Sequence, residues 1–406
     1  MSRLFPSRAV AAAVLLASLG YFVDIYDLVL FMVVRLKSLR ALGVPEADLT
    51  GRGVFLFNMQ MAGMLLGGLL WGVLGDRRGR LSVLFGSILL YSVANLANAF
   101  VHSVEAYAAW RLIAGIGLAG ELGAGITLVS ELMSKETRGY GTMIVAGVGV
   151  LGALAASLVG RFFDWRHAYI LGGVLGLLLL FLRIGVSESG MFRCLKEDGR
   201  RGDLRLVLAS PPKLLRYLSC ILVGVPIWYL IGVLVAFAPE LGKAMGMAGI
   251  PDPAMAVFWC YAGLAAGDFL SGFLSQRLES RKRVLLAFIL FSAASAGMYL
   301  TRTAPSADLL YALCFAMGVG GGYWAVFVTV SAEHFGTNIR ATVATTAPNF
   351  VRGAVVLLTL SFQALKAGLG TVGSAAVVGG VAFALALLGW ANLDETYGRD
   401  LDYLET

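Results

Sequence analysis

Residues 72–80 read GVLGDRRGR and lie where two apolar runs, 53–74 and 82–101, meet. Each run has about 20 residues, the length that an α-helix needs to cross the hydrocarbon core of a bilayer. Gly75 and Gly79 allow a tight turn between two helices, and Gly72 permits close approach of a neighbouring helix. The stretch therefore predicts two antiparallel membrane helices joined by a short basic loop.

Composition extends this prediction to the whole chain. Hydrophobic residues make up 58% of the 406 residues and charged residues only 14%, whereas about 25% of the residues of a soluble protein are charged. The first apolar run continues to Val34, past any signal-peptide cleavage site, so we predict a retained first helix. We predict an all-α membrane protein with twelve spanning helices, at 10–34, 53–74, 82–101, 106–130, 141–160, 167–185, 214–239, 254–275, 283–300, 307–331, 341–364 and 370–391.

The chain contains an internal repeat. Glu131 and Arg138, at the end of the fourth span, recur 202 positions later as Glu333 and Arg340, and the loop at 75–80 recurs as SQRLESRKR at 275–283. A repeat of half the chain is typical of two pseudo-symmetric six-helix bundles with a substrate path between them. The predicted organisation is an N-terminal bundle at 1–185, a polar and basic linker at 186–213 and a C-terminal bundle at 214–406.

Lysine and arginine residues predict the orientation. Most of them fall in the two termini and in the loops on the same side as the termini, and basic loops remain in the cytoplasm. Both termini are therefore predicted to be cytoplasmic, in a bacterial inner membrane. The net charge of +7 is explained by this topology and by attraction to anionic lipid head groups, so a nucleic-acid partner is not expected.

Two motifs resemble a known family. The loop GVLGDRRGR at 72–80 and the stretch RLIAGIGLAGELGAGITLVSELMSKETRG at 111–139 resemble motifs of the major facilitator superfamily. The triplet SES at 187–189 and the tail DETYGRDLDYLE at 394–405 are similar to the sugar porter and metabolite:proton symporter branches. The resemblance implies the fold of that superfamily, a transport function and alternating access.

The resemblance also implies that the loop at 72–80 is a conformational latch. Gln276 stands in the second copy of the loop where the first copy has Asp76, so we expect an asymmetric latch. The residues predicted to take part in gating are Asp76, Arg77, Arg80, Glu131, Arg138, Asp268, Glu333 and Arg340.

Acidic residues inside the first span indicate proton coupling. Asp24 and Asp27 lie in GYFVDIYDLVLF at 20–31, and ionisable residues within membrane helices are usually functional. Arg111, in the fourth span, lies at a similar depth, and the resembled families carry such an aspartate and arginine as a proton-coupling pair. Asp27 would then take a proton when the arginine moves away. The alternative is a permanent salt bridge that only satisfies both charges.

Glu121 is a further acidic residue at depth, in a glycine-rich helix. It is predicted to be a second proton carrier, a partner of Arg111 or a cation ligand, and the alternative is a structural pair with Arg352 across the bundles.

Arg352 is a basic residue inside an apolar span of the second half of the chain, where an unpaired charge is costly. It falls near the bilayer midplane, and Pro348 and Gly353 indicate a local break that would turn Asn349 towards a cavity. An arginine there can bind a carboxylate or phosphate through two hydrogen bonds. The predicted substrate-binding residues are Arg352, Asn349, Trp228, Tyr229, Tyr323 and Trp324, although aromatic residues also serve as interfacial anchors.

These observations predict a monomeric secondary transporter that moves a small polar metabolite, with an organic anion favoured, by proton-coupled alternating access. The alternative is a proton-coupled antiporter that exports cationic or amphipathic compounds. The sequence contains no nucleotide-binding loop, no hydrolase or metalloprotease motif and no His/Cys cluster, so we predict neither an enzyme nor a bound metal or cofactor.

Overall fold

The computed structural model describes residues 8–133, 137–183, 205–208, 210–303, 305–399 and 403–405, with only the backbone given at Arg80 and Arg138 among others. Of the predicted linker, only 205–208 and 210–213 fall within these ranges. The regular secondary structure of the described residues is helical throughout.

The N-terminal bundle contains the first eight helices. They are α1 (Arg8–Ala41), α2 (Leu49–Arg78), α3 (Arg80–Asn98), α4 (Val104–Leu118), α5 (Glu121–Leu132), α6 (Arg138–Val150), α7 (Gly152–Phe162) and α8 (Trp165–Leu182). The apolar span of α1 was predicted to end at Val34, but the helix continues to Ala41. Basic residues after Val34 end the hydrophobic pattern without breaking the helix, which stops just before Gly43, where φ is 77°.

The remaining helices are a short one that precedes the C-terminal bundle and those that form the bundle. They are α9 (Arg205–Leu208), α10 (Pro211–Tyr229) with a π-helical continuation over Leu230–Val235, α11 (Ala238–Ala244), α12 (Pro253–Arg277), α13 (Arg281–Leu300), α14 (Ala307–Gly321), α15 (Trp324–Glu333) and α16 (Arg340–Asn392). Helix α16 changes direction at Gly370, whose φ of 67° and ψ of 177° are conformations open to glycine alone.

The predicted twelve crossings are confirmed. In the described part of the chain, eleven helical stretches are long and apolar enough to span a bilayer, and the last contributes two crossings because it breaks at Gly370. The α4–α5 crossing is interrupted at Ala119 and Gly120, and the α14–α15 crossing at Gly322 and Tyr323. These interruptions lie within one residue of the positions that the 202-residue repeat relates, so each bundle carries one at a similar depth.

The two bundles pack against each other chiefly through α2 with α16 and through α6 and α7 with α12. Small residues make this contact close. A side chain at Gly72 would lie 3.1 Å from the Thr342 carbonyl oxygen, and one at Gly68 would lie 2.8 Å from Asn349 Cβ. We call the end that carries Gly79 and the start of α16 the termini face, and the end that carries residues 42–48 the opposite face.

Candidate functional site

Arg352 lies between the two bundles and is 1% exposed. Its Nη1 donates to Asn349 Oδ1 and its Nη2 donates to the Tyr21 hydroxyl, both at 3.4 Å. Both partners are neutral, and within the described residues Arg352 makes no ion pair within 4.0 Å, while its Nε has no hydrogen-bond partner. A buried guanidinium with long, neutral contacts retains capacity to bind an anion.

Two indole rings flank this guanidinium. The Arg352 Cζ atom lies 5.4 Å from the ring centroid of Trp324 and 5.9 Å from that of Trp228. Trp228 lies in the last turn of α10 and Trp324 begins α15, so the break in the α14–α15 crossing places the second ring. The predicted grouping of Arg352 with Trp228 and Trp324 is present in the structure.

Asn349 joins the site to the N-terminal bundle. Its Nδ2 donates to the Ala119 carbonyl oxygen and to the Thr345 carbonyl oxygen, both at 2.7 Å. Ala119 carries a free carbonyl because the α4–α5 crossing is interrupted there. The interruption therefore supplies a polar anchor between the bundles.

Tyr229 and Tyr323, predicted to line the same site, are elsewhere. The Tyr229 hydroxyl donates to the Ala375 carbonyl oxygen at 2.8 Å, and the Tyr323 hydroxyl donates to the Val223 carbonyl oxygen at 2.9 Å. Each ring thus packs inside the C-terminal bundle, because its neighbour in sequence, Trp228 or Trp324, takes the face turned to Arg352.

Asp24 connects Arg352 to the N-terminal bundle. It is 0% exposed, and it interacts electrostatically with Arg352, Glu121 and Arg183. Among the residues that the structure describes, neither carboxylate oxygen of Asp24 has a hydrogen-bond partner.

Asp27 points into the N-terminal bundle rather than between the bundles. A methyl group at Gly172 of α8 would overlap Asp27 Oδ1, and Asn95 of α3 lies beside the carboxylate, beyond hydrogen-bond geometry. Asp27 is 0% exposed. The carboxylate is thus held between α1, α3 and α8, away from Arg352.

The expected ion pair between Asp27 and Arg111 is not formed in this structure. Arg111 Nη1 donates to the Tyr169 hydroxyl at 3.3 Å, and its Cζ lies 4.5 Å from the ring centroid of Phe31. No contact of 4.0 Å or less joins the two charges in the described part of the chain. The Arg111 guanidinium therefore contacts the Tyr169 hydroxyl and the Phe31 ring instead of the Asp27 carboxylate.

Glu121 is paired with Arg183, a residue not predicted to take part. Arg183 Nη1 donates to Glu121 Oε2 at 2.9 Å, and Nη2 makes a second, shorter bond to Oε1. Arg183 ends α8 and is 2% exposed. The predicted partners of Glu121, Arg111 and Arg352, are both replaced by this buried two-bond pair. The sequence contains an indication of this role, because Arg183 is a single basic residue at the end of an apolar span.

The termini face holds an inter-bundle contact from the loop at 72–80. Asp76 Oδ2 accepts from the Thr342 backbone N–H and from the Thr342 hydroxyl, both at 2.7 Å. Thr342 is in the first turn of α16, where a carboxylate is favoured by the unsatisfied amides and the helix dipole. Glu131 of α5 and Arg340 of α16 form a second contact across the bundles, at 4.0 Å.

Two other predicted gating residues, Asp268 and Glu333, have hydrogen bonds inside the C-terminal bundle. Asp268 Oδ1 accepts from the Ala325 N–H at 3.0 Å, at the start of α15. Glu333 accepts from Arg281 at 3.4 Å and from the Thr396 hydroxyl at 2.8 Å. Arg77 is exposed at the end of α2, and the side chains of Arg80 and Arg138 lie outside the described residues.

Glu395, beyond the end of α16, ties the C-terminal segment to α13. Its carboxylate accepts from the Ser280 hydroxyl at 2.5 Å and from the Arg281 backbone N–H at 2.9 Å. Partial burial opposes ionisation, but these bonds and those from the Lys282 and Tyr397 amides outweigh it and lower the pKa of Glu395.

The opposite face is also closed, by residues that the sequence did not single out. Arg35 Nη2 donates to Glu240 Oε1 at 2.9 Å, and Glu240 also accepts from the Thr50 hydroxyl at 3.4 Å. Outside this contact lies a cavity of about 620 Å³ between α1, α7 and α11, lined in part by Lys37, Arg161 and Lys243. With contacts across the bundles at both faces, the region around Arg352 is occluded.

Known proteins share the sequence pattern and the architecture of this chain. Residues 10–359 match the family model of the Major Facilitator Superfamily. The chain is 29% identical to a 3-(3-hydroxy-phenyl)propionate transporter of Escherichia coli, over 79% of each chain. It is 26% identical to a gentisate transporter of Corynebacterium glutamicum, over 95% of this chain and 88% of the other. The structure of the proton:xylose symporter XylE aligns with a TM-score of 0.77 at 19% identity, over 97% of each chain, and shows the shared fold.

Proposed function

Because this chain belongs to the major facilitator superfamily and is therefore a membrane transporter and not an enzyme, we propose that it carries a small aromatic carboxylate in symport with protons. The observation that carries this proposal is Arg352, a buried guanidinium between the bundles whose hydrogen-bond partners are neutral and whose Cζ lies 5.4 and 5.9 Å from the centroids of two indole rings. The carboxylate of the substrate would bind the guanidinium through two hydrogen bonds. The aromatic ring would lie against Trp228 and Trp324.

The relatives support this substrate class. 3-(3-Hydroxyphenyl)propionate and gentisate, the substrates in the names of two relatives, both combine an aromatic ring with a carboxylate. The alternative, export of a cationic compound, needs acidic groups free to bind it. Glu121 is neutralised by Arg183, which removes one of the three acids on which that alternative depends.

Asp24 would couple the two solutes. Ionised Asp24 attracts the same guanidinium that the substrate carboxylate needs, so protonation of Asp24 would leave Arg352 available to the substrate. Asp27, one turn further along α1, would take up and release the transported proton inside the N-terminal bundle. We further propose that the protein works as a monomer in a bacterial inner membrane with both termini in the cytoplasm, in agreement with its basic loops.

Binding by the purified protein tests the proposal. Thermal stability would be measured with benzoate, gentisate and 3-(3-hydroxyphenyl)propionate, and with xylose and spermidine for comparison, since a ligand that binds the folded state raises its melting temperature. We expect stabilisation by the aromatic acids alone. Arg352→Lys should weaken binding by about ten- to a hundredfold, the effect of losing charged hydrogen bonds worth about 1.5–3 kcal/mol.

Arg35→Lys is the matched control, because Arg35 is equally buried but lies at the opposite face. It should leave the affinity for the aromatic acid close to that of the unmodified protein. Stabilisation by spermidine and not by the acids would overturn the proposal. The same conclusion would follow if Arg352→Ala lowered only the melting temperature and Asp24→Asn restored it, since the pair would then be structural.

A further inference from the structure

Helix α3 carries a buried polar stripe that no part of the transport site uses. Ser87, Tyr91, Asn95 and Asn98 follow one another at intervals of four, four and three residues, so they share one face of the helix, and Ser92 stands beside them. All five are 0% exposed. The face covers about 16 Å along the helix axis at 1.5 Å per residue.

The polar atoms of this stripe need a partner. In the part of the chain that the structure describes, none of the hydroxyl groups of Ser87, Tyr91 and Ser92 and none of the amide atoms of Asn95 and Asn98 has a hydrogen-bond partner. Buried polar groups are nearly always hydrogen-bonded, and groups without a protein partner are served by ordered water. Ordered water is therefore expected beside these polar groups.

Glycine residues on the facing helix, α8, let polar side chains of α1 and α3 pack directly against it. On α8, a methyl group at Gly172 would overlap Asp27 Oδ1, and one at Gly176, a turn further on, would overlap Ser92 Oγ. Asn95 lies beside Asp27, and Asn98 is the last residue of α3, next to the exposed Phe100 at the opposite face. Asn98 and Asn95 therefore lead from that face to the Asp27 carboxylate, and Ser92, Tyr91 and Ser87 continue the stripe beyond it.

The equivalent helix of the C-terminal bundle differs. With the 201-residue offset that relates Arg80 to Arg281, the five stripe positions correspond to Phe288, Ser292, Ala293, Ala296 and Tyr299 of α13. The Tyr299 hydroxyl donates to the Leu234 carbonyl oxygen, which leaves Ser292 as the unsatisfied group among these five described residues. The polar stripe thus occurs in the bundle that contains the buried aspartates.

We propose that the α3 stripe holds a chain of water molecules that delivers protons from the opposite face to Asp27 without passing through the substrate cavity. A hydronium ion at the Asn98 end gives up one proton, each water passes one proton to the next, and the Asp27 carboxylate becomes a carboxylic acid. The charged and titratable groups around Asp27 are Asp24 and Tyr26 of α1, Arg111 of α4, Tyr91 of α3 and Tyr169 of α8, and Glu121 of α5 interacts with Asp24 and Tyr91.

This inference rests on the proposed proton coupling, and the experiment separates the two. Time-resolved infrared spectroscopy of the protein in vesicles would follow the carboxylic-acid band of Asp27 after a pH jump at the opposite face. Asp27→Asn identifies the band. Asn95→Leu, which keeps the side-chain size, should slow its appearance by about tenfold or more, and tenfold corresponds to about 1.4 kcal/mol of barrier.

Ser292→Ala is the matched control, because it removes a buried hydroxyl from the corresponding helix and should leave the rate unchanged. If Asn95→Leu does not fold, Asn98→Leu tests the same path, because Asn98 lies between Asn95 and the opposite face. A band that forms at the same rate in the stripe variants overturns the water chain while leaving proton coupling intact. No band in the unmodified protein would overturn proton coupling at Asp27, and the water chain with it.

Discussion

At the scale of single residues, the two aspartates of α1 have different surroundings despite being one helical turn apart. Asp24 interacts with Arg352 between the bundles, whereas Asp27 is enclosed by Gly172 and Asn95 inside the N-terminal bundle. The position of Asp27 suits proton exchange inside the N-terminal bundle, whereas that of Asp24 suits a response to the substrate at Arg352.

We expect Asp27→Asn to abolish accumulation of the aromatic acid driven by a proton gradient while exchange of internal for external substrate continues. Exchange requires no net proton movement, so a neutral side chain at residue 27 supports it. Transport into vesicles with and without a pH gradient measures both activities. Accumulation by Asp27→Asn at the unmodified level would show that Asp27 is not the coupling group.

At the scale of helices, a carboxylate oxygen of Asp76 joins the end of α2 to the start of α16. Asp76 Oδ2 accepts two bonds from Thr342, and the close approach of the helices at Gly72 makes both short. The carboxylate also lies at the positive end of α16. The latch implied by the family resemblance therefore has a concrete partner in the other bundle.

Asp76→Asn should shift the equilibrium towards the state open at the termini face by roughly 1–3 kcal/mol, the usual scale of conformational coupling. Electron paramagnetic resonance distances between spin labels at the exposed residues Arg78 and Leu278 would report the opening. The control is Asp308→Asn, an exposed aspartate in the first turn of α14. Unchanged distance distributions in Asp76→Asn would exclude the latch role.

At the scale of the whole molecule, contacts between the bundles at both faces enclose the Arg352 region. Alternating access requires that either set can break while the other holds. Among the described residues, the opposite face has a buried ion pair between the bundles, Arg35 with Glu240, and a more exposed one, Arg161 with Asp252 at 3.5 Å. Removing one charge from a buried pair leaves the other uncompensated.

Glu240→Gln should therefore open the opposite face, the reverse of the change expected for Asp76→Asn. Labels at the exposed residues Ala47 and Ile250 would move apart while labels at the termini face would not. Glu46→Gln is the control, since Glu46 pairs with Arg40 of the same bundle at the surface. Opening of both faces together in Glu240→Gln would contradict alternating control by the two contacts.

The sequence alone determined the architecture. Hydrophobic runs of bilayer length must form helices because lipid cannot satisfy backbone polar groups, and the repeat of Glu131 and Arg138 as Glu333 and Arg340 indicated two related bundles. Depth along a helix identified Asp24, Asp27 and Arg352 as residues that need a functional or structural explanation.

Only the tertiary structure decided the partners of these residues. Helix rotation and the breaks at Ala119 and Tyr323 place Trp228 and Trp324, but not Tyr229 and Tyr323, against Arg352, and they give Glu121 to Arg183. Spacing along a chain fixes how deep a side chain lies in the membrane. The direction it faces, and hence its partner, is fixed by the packing of helices that are distant in sequence.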